Sequence, residues 1–167
     1  HHAAEDALVK PLTHLLDIYF KSVGRNSGLL LNVPPDRRGL FADPDVARLA
    51  EFGAATRALY ATNLLAQGSV ETAVSSGRGT DTLADGNLDS GWTPNAPGTA
   101  WIEWRFPEPR AFNLLNLRED IRAGENVRRH RVLALTASGA WESLAAGTVI
   151  GQRALFRLPE TTSTAVR

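Results

Sequence analysis

Hydrophobic positions along the chain follow two different rhythms. Leu8, Leu12, Leu15, Leu16, Tyr19 and Phe20 recur at the spacing of one face of an amphipathic helix. Pro11 suits the first turn of that helix, and Gly24 and Asn26 supply a stop. The run 29–33 is apolar apart from Asn32 and is closed by Pro34 and Pro35, the pattern of a strand buried in a parallel sheet. Asp43 and Pro44 then mark a second helix start, as N-cap and first-turn proline. Val46, Leu49, Gly53, Thr56 and Tyr60 share one face of that helix, widened by Phe52 and Leu59. Helix, buried strand and helix make one and a half units of an α/β fold, and a buried strand needs neighbours on both edges. Residues 1–63 are therefore expected to be the closing piece of a larger α/β domain, sticky or disordered without the remainder.

From residue 64 onward the period becomes two. In 69–75, Val70, Thr72 and Val74 share a face. In 100–106, Ile102, Trp104 and Phe106 face one way, while Trp101, Glu103 and Arg105 face the other. Further strands are expected at 112–117, 131–136, 154–158 and 164–167, with a turn at Ser138 and Gly139 ahead of Trp141. Short strands separated by Gly, Pro, Asn and Asp clusters predict an all-β sandwich or jelly roll over 64–167. The fold class is thus mixed, a piece of α/β followed by an all-β domain. The last strand has no flanking turn after it, so the chain is expected to be cut there too.

Composition narrows the function. The 167 residues are 43% hydrophobic, enough for a sizeable core. Basic and acidic residues number eighteen each, which disfavours a broad nucleic-acid surface. No apolar run reaches the roughly 20 residues of a membrane span. Cysteine is absent, which removes disulfides, thiolate nucleophiles and cysteine-ligated zinc. Methionine is absent too, so a chain opening His1-His2 reads as a fragment, a processed chain or a tag remnant.

The stretch 19–36, reading YFKSVGRNSGLLLNVPPD, resembles the last helix–strand segment of the catalytic barrel of the α-L-fucosidases, glycoside hydrolase family 29. Gly39 and the helix carrying Leu49, Glu51, Phe52 and Gly53 continue the likeness. Residues 64–167 resemble the discoidin, or coagulation-factor type C, jelly roll attached to many of these enzymes. The carriers are the entry at 63–66, Asp85-Gly86-Asn87 with Ser90 and Trp92, the segment 116–121 with Gly124 and Val127, Trp141 with Leu144-Ala145, and 147–151.

The resemblance implies a C-terminal part of a retaining exo-α-L-fucosidase that removes terminal L-fucose from glycans without a cofactor. Residues 1–63 would close the (β/α)8 barrel, and 64–167 would pack on it. The partners implied are fucosylated glycans and the remainder of the barrel, in a secreted or periplasmic protein. The nucleophile and the acid/base of that family sit on earlier barrel strands, so no catalytic residue is expected in this chain, which should be inactive alone. The alternative is a non-catalytic carbohydrate-binding or structural module. A lipid-binding version would use loop tips, for which Leu83, Leu88 and Trp92 are the candidates.

Individual residues carry finer expectations. Asn32 ends the barrel strand and is the candidate for the pocket rim, since barrel sites lie at the C-terminal ends of strands; a loop-pinning amide is the plainer role. Asp85, Asn87 and Ser90 resemble the jelly-roll loop that holds a structural calcium, against an Asx-turn network without an ion. Trp101, on the face opposite the core, is the candidate for stacking on a sugar, with packing against the barrel as its alternative. Trp104 alternates with Ile102 and Phe106 and belongs to the core. Glu5-Asp6 and Glu119-Asp120 are sequence neighbours that point apart and so form no acid/base couple. Glu119 is expected to brace its loop through Arg118 or Arg122. The basic run 128–131 alternates sides on a strand, which makes it a solvated edge rather than a phosphate patch.

Overall fold

A computed structural model of the chain describes residues 7–67 and 70–167. They fall into two compact units, His1–Thr62 and Asn63–Arg167. His1, His2, Glu5, Asp6 and Ser69 lie outside the described residues.

The first unit holds two helices, α1 (Leu12–Lys21) and α2 (Asp43–Ala58). Pro11 caps α1 from an extended conformation, and Asn26 ends the segment beyond it at φ 67°. The second helix starts one residue earlier than expected, with Ala42 as its N-cap and Asp43 inside its first turn. The helices meet through Tyr19, whose ring stands edge-on to Phe52 at 6.1 Å and whose hydroxyl lies 3.0 Å from that of Tyr60. Leu15 is buried, whereas Val46, assigned to the inner face of α2, is half exposed.

Residues 29–33 are not a strand. Leu30 is 95% exposed, and among the described residues no neighbour offers these backbone groups a ladder. A strand exists only with a partner, and this chain gives the run none. The following turn is held by Asp36, whose carboxylate accepts from the Arg38 and Leu40 backbone N–H groups and from Arg38 Nε at 2.7 Å. That arginine beside it lowers the Asp36 carboxyl below the ordinary carboxylate range.

The second unit is built on five strands: β1 (Glu71–Val74), β2 (Ile102–Leu117), β3 (His130–Leu135), β4 (Trp141–Gly147) and β5 (Ala154–Val166). They join in one continuous antiparallel ladder, ordered β1-β2-β5-β3-β4. Two pairs of expected strands merge. Segments 100–106 and 112–117 both belong to β2, and 154–158 and 164–167 both run into β5. Pro107 and Pro109 look like strand breaks because they lack a ladder donor. They are accommodated where pairing with β5 is interrupted, between Arg105 and Arg110.

One face of the sheet carries the core. Phe106, Val132 and Val166 are buried there, and Leu64, Leu65, Val70, Phe112, Leu115, Leu117 and Ala145 pack against them. Trp104, opposite Val166 in the ladder, shares that face as its alternation predicts. The β3–β4 hairpin closes at Ser138-Gly139, with the Thr136 N–H donating to the Ala140 carbonyl at 2.8 Å.

Candidate functional site

The other face of the sheet brings Trp101, Glu103 and Arg105 together with residues far away in sequence. Glu103 is only 4% exposed, although alternation alone places it on the outward face. It is covered because its carboxylate is shared. One oxygen binds Arg105 at 2.5 Å, and the other binds Arg167 through Nε at 2.9 Å and Nη2 at 2.5 Å. A buried carboxylate needs such partners, since an unpaired charge there would cost several kcal/mol. The Arg167 guanidinium also stands over two rings, 4.4 Å from the centroid of Trp141 and 5.2 Å from that of Trp101, within cation–π range. Trp101 remains 39% exposed as a residue. Its backbone is fixed by Ser75, just beyond β1: the Ser75 N–H donates to the Trp101 carbonyl and the Trp101 N–H donates to Ser75 Oγ. Only Trp101 of this group is a candidate on sequence grounds. Arg167 and Trp141 come to it through the β5 and β4 pairings, which no local pattern announces.

The loop 85–90 is a chain of side-chain turns. Asp85 Oδ1 accepts the Asn87 N–H, Asp85 Oδ2 accepts from Ser90 Oγ, and Asn87 Oδ1 accepts the Asp89 N–H. All three expected calcium ligands are thus engaged within the loop. The Arg122 guanidinium sits on the adjacent Asp89 at 3.1 Å, a position a cation would contest. Among the described residues no group of three or more His, Asp or Glu side chains converges for a metal ion. These bonds make the loop an Asx-turn network.

The neighbouring loops are tied by carboxylates. Arg122 also binds Asp120, and its side-chain hydrogen bond, with its own backbone N–H, lowers the Asp120 carboxyl to about 2. Glu119 braces its loop through backbone N–H groups. Its Oε1 accepts from Asn126 and Val127 N–H groups, and Oε2 accepts from Gly151 at 3.3 Å. These carboxylates perform structural work and leave no free acid/base pair in the cluster.

Trp92 is a brace rather than a loop tip. Its Nε1 donates to the Ser76 carbonyl at 3.0 Å, beside the bridge between Arg78 and Thr93. Leu83 lines an open cleft of about 470 Å3 together with Leu65, Val70, Thr72 and Asp81. Leu88 is exposed. Asn32 is exposed in the extended run of the first unit. In the basic run, Arg128, Arg129 and Arg131 are exposed, while His130 turns inward and packs edge-on to Phe156 at 5.7 Å.

Fold and site thus define a two-helix unit and an antiparallel β unit whose outer face is an aromatic–guanidinium cluster. The homologues of this chain are α-L-fucosidases. It is 35% identical over 163 residues to Alpha-L-fucosidase 1 of Arabidopsis thaliana, covering 93% of this chain and 32% of that protein. A solved Bacteroides thetaiotaomicron protein assigned as an α-L-fucosidase matches with a TM-score of 0.92 and 29% identity, over 99% of this chain and 38% of that one. The Ruminococcus gnavus GH29 fucosidase E1_10125, solved in complex with fucose, matches with a TM-score of 0.87 and 31% identity, over 94% of this chain and 33% of that one. No protein-family profile matches the chain. The chain spans about a third of the length of the curated relatives it matches.

Proposed function

We propose that this chain is the C-terminal part of a retaining exo-α-L-fucosidase of glycoside hydrolase family 29, acting on fucosylated glycans. The observation that carries the reading is the structural match at a TM-score of 0.92 over 99% of the chain, which takes in both units in one order. The exposed run around Leu30 agrees with it: in a barrel, 29–33 finds the sheet neighbours it lacks here, and Asn32 comes to the rim of the pocket. The β unit is read as the discoidin-type jelly roll of such enzymes. Retention needs two carboxyls about 5–5.5 Å apart, one to attack the anomeric carbon and one to protonate the leaving oxygen. In the family the chain resembles the two carboxyls sit on earlier barrel strands, so the pair is read as lying upstream, while Glu103, Glu119, Asp120 and Asp89 are held by guanidinium or backbone groups. The proposal includes a periplasmic or secreted parent protein, which fractionation of the parent organism tests.

The experiment is hydrolysis of an aryl α-L-fucoside by the chain extended upstream through a whole barrel, with this chain beside it. Activity in the extended form alone is the expected result. Inactivity of both would overturn the enzymatic reading. A carbohydrate-binding module is the second reading, favoured by the exposure of Trp101.

A further inference from the structure

We propose that Asp36 is a positioning residue for the substrate pocket: it closes the turn 36–40 and, through the stiff link Val33-Pro34-Pro35, holds Asn32 at the rim. The inference rests on the glycosidase reading, which puts the segment after 29–33 on the barrel face where substrate binds. Three observations carry it. First, the turn closes on one side chain. Asp36 Oδ1 accepts the Arg38 N–H at 2.8 Å and the Leu40 N–H at 3.2 Å, and Oδ2 accepts from Arg38 Nε at 2.7 Å. The Asp36 N–H donates to the Leu40 carbonyl at 2.7 Å, and the N–H of Gly39, at φ 77°, donates to the Asp36 carbonyl. Second, the carboxylate is an anchor. Its side chain is only 15% exposed, although Arg37, Arg38, Gly39 and Leu40 around it are exposed. Arg38 ties the turn onward, with Nη2 at 2.7 Å from Asp36 Oδ2 and at 4.0 Å from Asp43 in the first turn of α2. Third, the link to Asn32 has little freedom. Pro34 and Pro35 each fix their own φ, and each confines the residue before it to extended backbone, so Val33 and Pro34 are restrained as well. A displaced turn therefore moves Asn32 instead of being absorbed between them.

The test is a double-mutant cycle in the chain extended upstream through a whole barrel, with kcat and KM measured on an aryl α-L-fucoside. Asp36→Ala should lower kcat/KM about 10–100-fold, the cost of a misplaced contact group. Asp36→Asn keeps an acceptor for the two backbone N–H groups and should recover most of that loss. In an Asn32→Ala background, Asp36→Ala should cost less than about 2-fold more, because the residue it positions is gone. Equal losses in both backgrounds would make Asp36 merely structural and overturn the proposal, as would full activity of Asp36→Ala. A second readout needs no activity. With isotope-labelled asparagine in the extended chain, Asp36→Ala should shift the Asn32 side-chain amide signals in NMR spectra, and Arg37→Ala should leave them in place. Asn32 signals that stay put in Asp36→Ala would overturn the proposal whether or not the parent hydrolyses the fucoside. An inactive parent overturns the glycosidase reading instead, so the two failures are told apart.

Discussion

Gly77 and Gly98 differ in their surroundings and hardly at all in backbone conformation, with φ of 128° and 131°. An alanine at either position takes on left-handed strain of about 1–3 kcal/mol. At Gly98 the added methyl meets nothing within 4 Å. At Gly77 it runs into the Thr93 carbonyl oxygen and lies 2.5 Å from Trp92 Nε1. The segment can step aside only by giving up the bonds around it. Arg78 and Thr93 exchange two backbone hydrogen bonds at 3.0 Å, and Trp92 Nε1 donates to the Ser76 carbonyl at 3.0 Å. At about 0.5–1.5 kcal/mol each, their loss adds about 2–4 kcal/mol to the strain both variants share. All four tryptophans lie in Asn63–Arg167, so indole fluorescence during urea unfolding reports on this unit alone. Gly77→Ala should lose that much more stability than Gly98→Ala, a gap on the order of 10 °C in a unit of about 100 residues. Equal losses in the two variants would refute the claim that contact, rather than φ, makes glycine necessary at position 77.

Other perturbations probe the loops and the helices. Glu119→Ala should destabilise the β unit by about 1.5–3 kcal/mol and speed amide exchange at Asn126, Val127 and Gly151, which lose a charged acceptor; unchanged exchange at those amides would remove Glu119 from its bracing role. The folded-state pKa of Asp120, about 2, lies below its ordinary 3.8, so its bond to Arg122 contributes fully above about pH 3.8 and is lost as the pH falls through 2. An NMR titration of the Asp120 carboxyl should show this midpoint, and Arg122→Gln should raise it. Millimolar calcium should leave the melting temperature unmoved if the hydrogen bonds of the 85–90 loop suffice, whereas a saturable rise would show that the loop holds the ion. Tyr60→Phe, read by the unfolding of the helical unit, should cost about 0.5–1.5 kcal/mol through its bond to Tyr19.

Local pattern reveals what local chemistry determines. The alternation at Ile102, Trp104 and Phe106 identifies the core face of β2, and the Ser138-Gly139 turn marks the β3–β4 hairpin. The helical spacing of Leu12, Leu15 and Tyr19 gives α1. Legibility stops where a partner distant in sequence decides the outcome. Glu103 reads as a solvent-facing residue until Arg167, 64 positions later, closes over it. The run at Leu30 reads as a buried strand because its composition suits one, yet strand formation requires edges that composition cannot supply. Pro107 reads as a strand end because a proline breaks a ladder, whereas β5 simply leaves that stretch unpaired. The face around Trp101 is half legible for the same reason: its own strand shows which way the ring points, but not what assembles beside it.

The order β1-β2-β5-β3-β4 also governs when the β unit can form. Its middle strand is the last of the five in sequence, and β2 reaches β3 only through it. During synthesis, β1 can pair with β2 and β3 with β4, giving two separate ribbons with unpaired edges. Neither ribbon holds the whole core, since Val166 arrives with β5 between Phe106 and Val132. Folding therefore waits on long-range contacts made once β5 has emerged, a slow topology that exposes two aggregation-prone edges in the meantime. Truncation within β5 should leave these ribbons rather than a smaller version of the sheet.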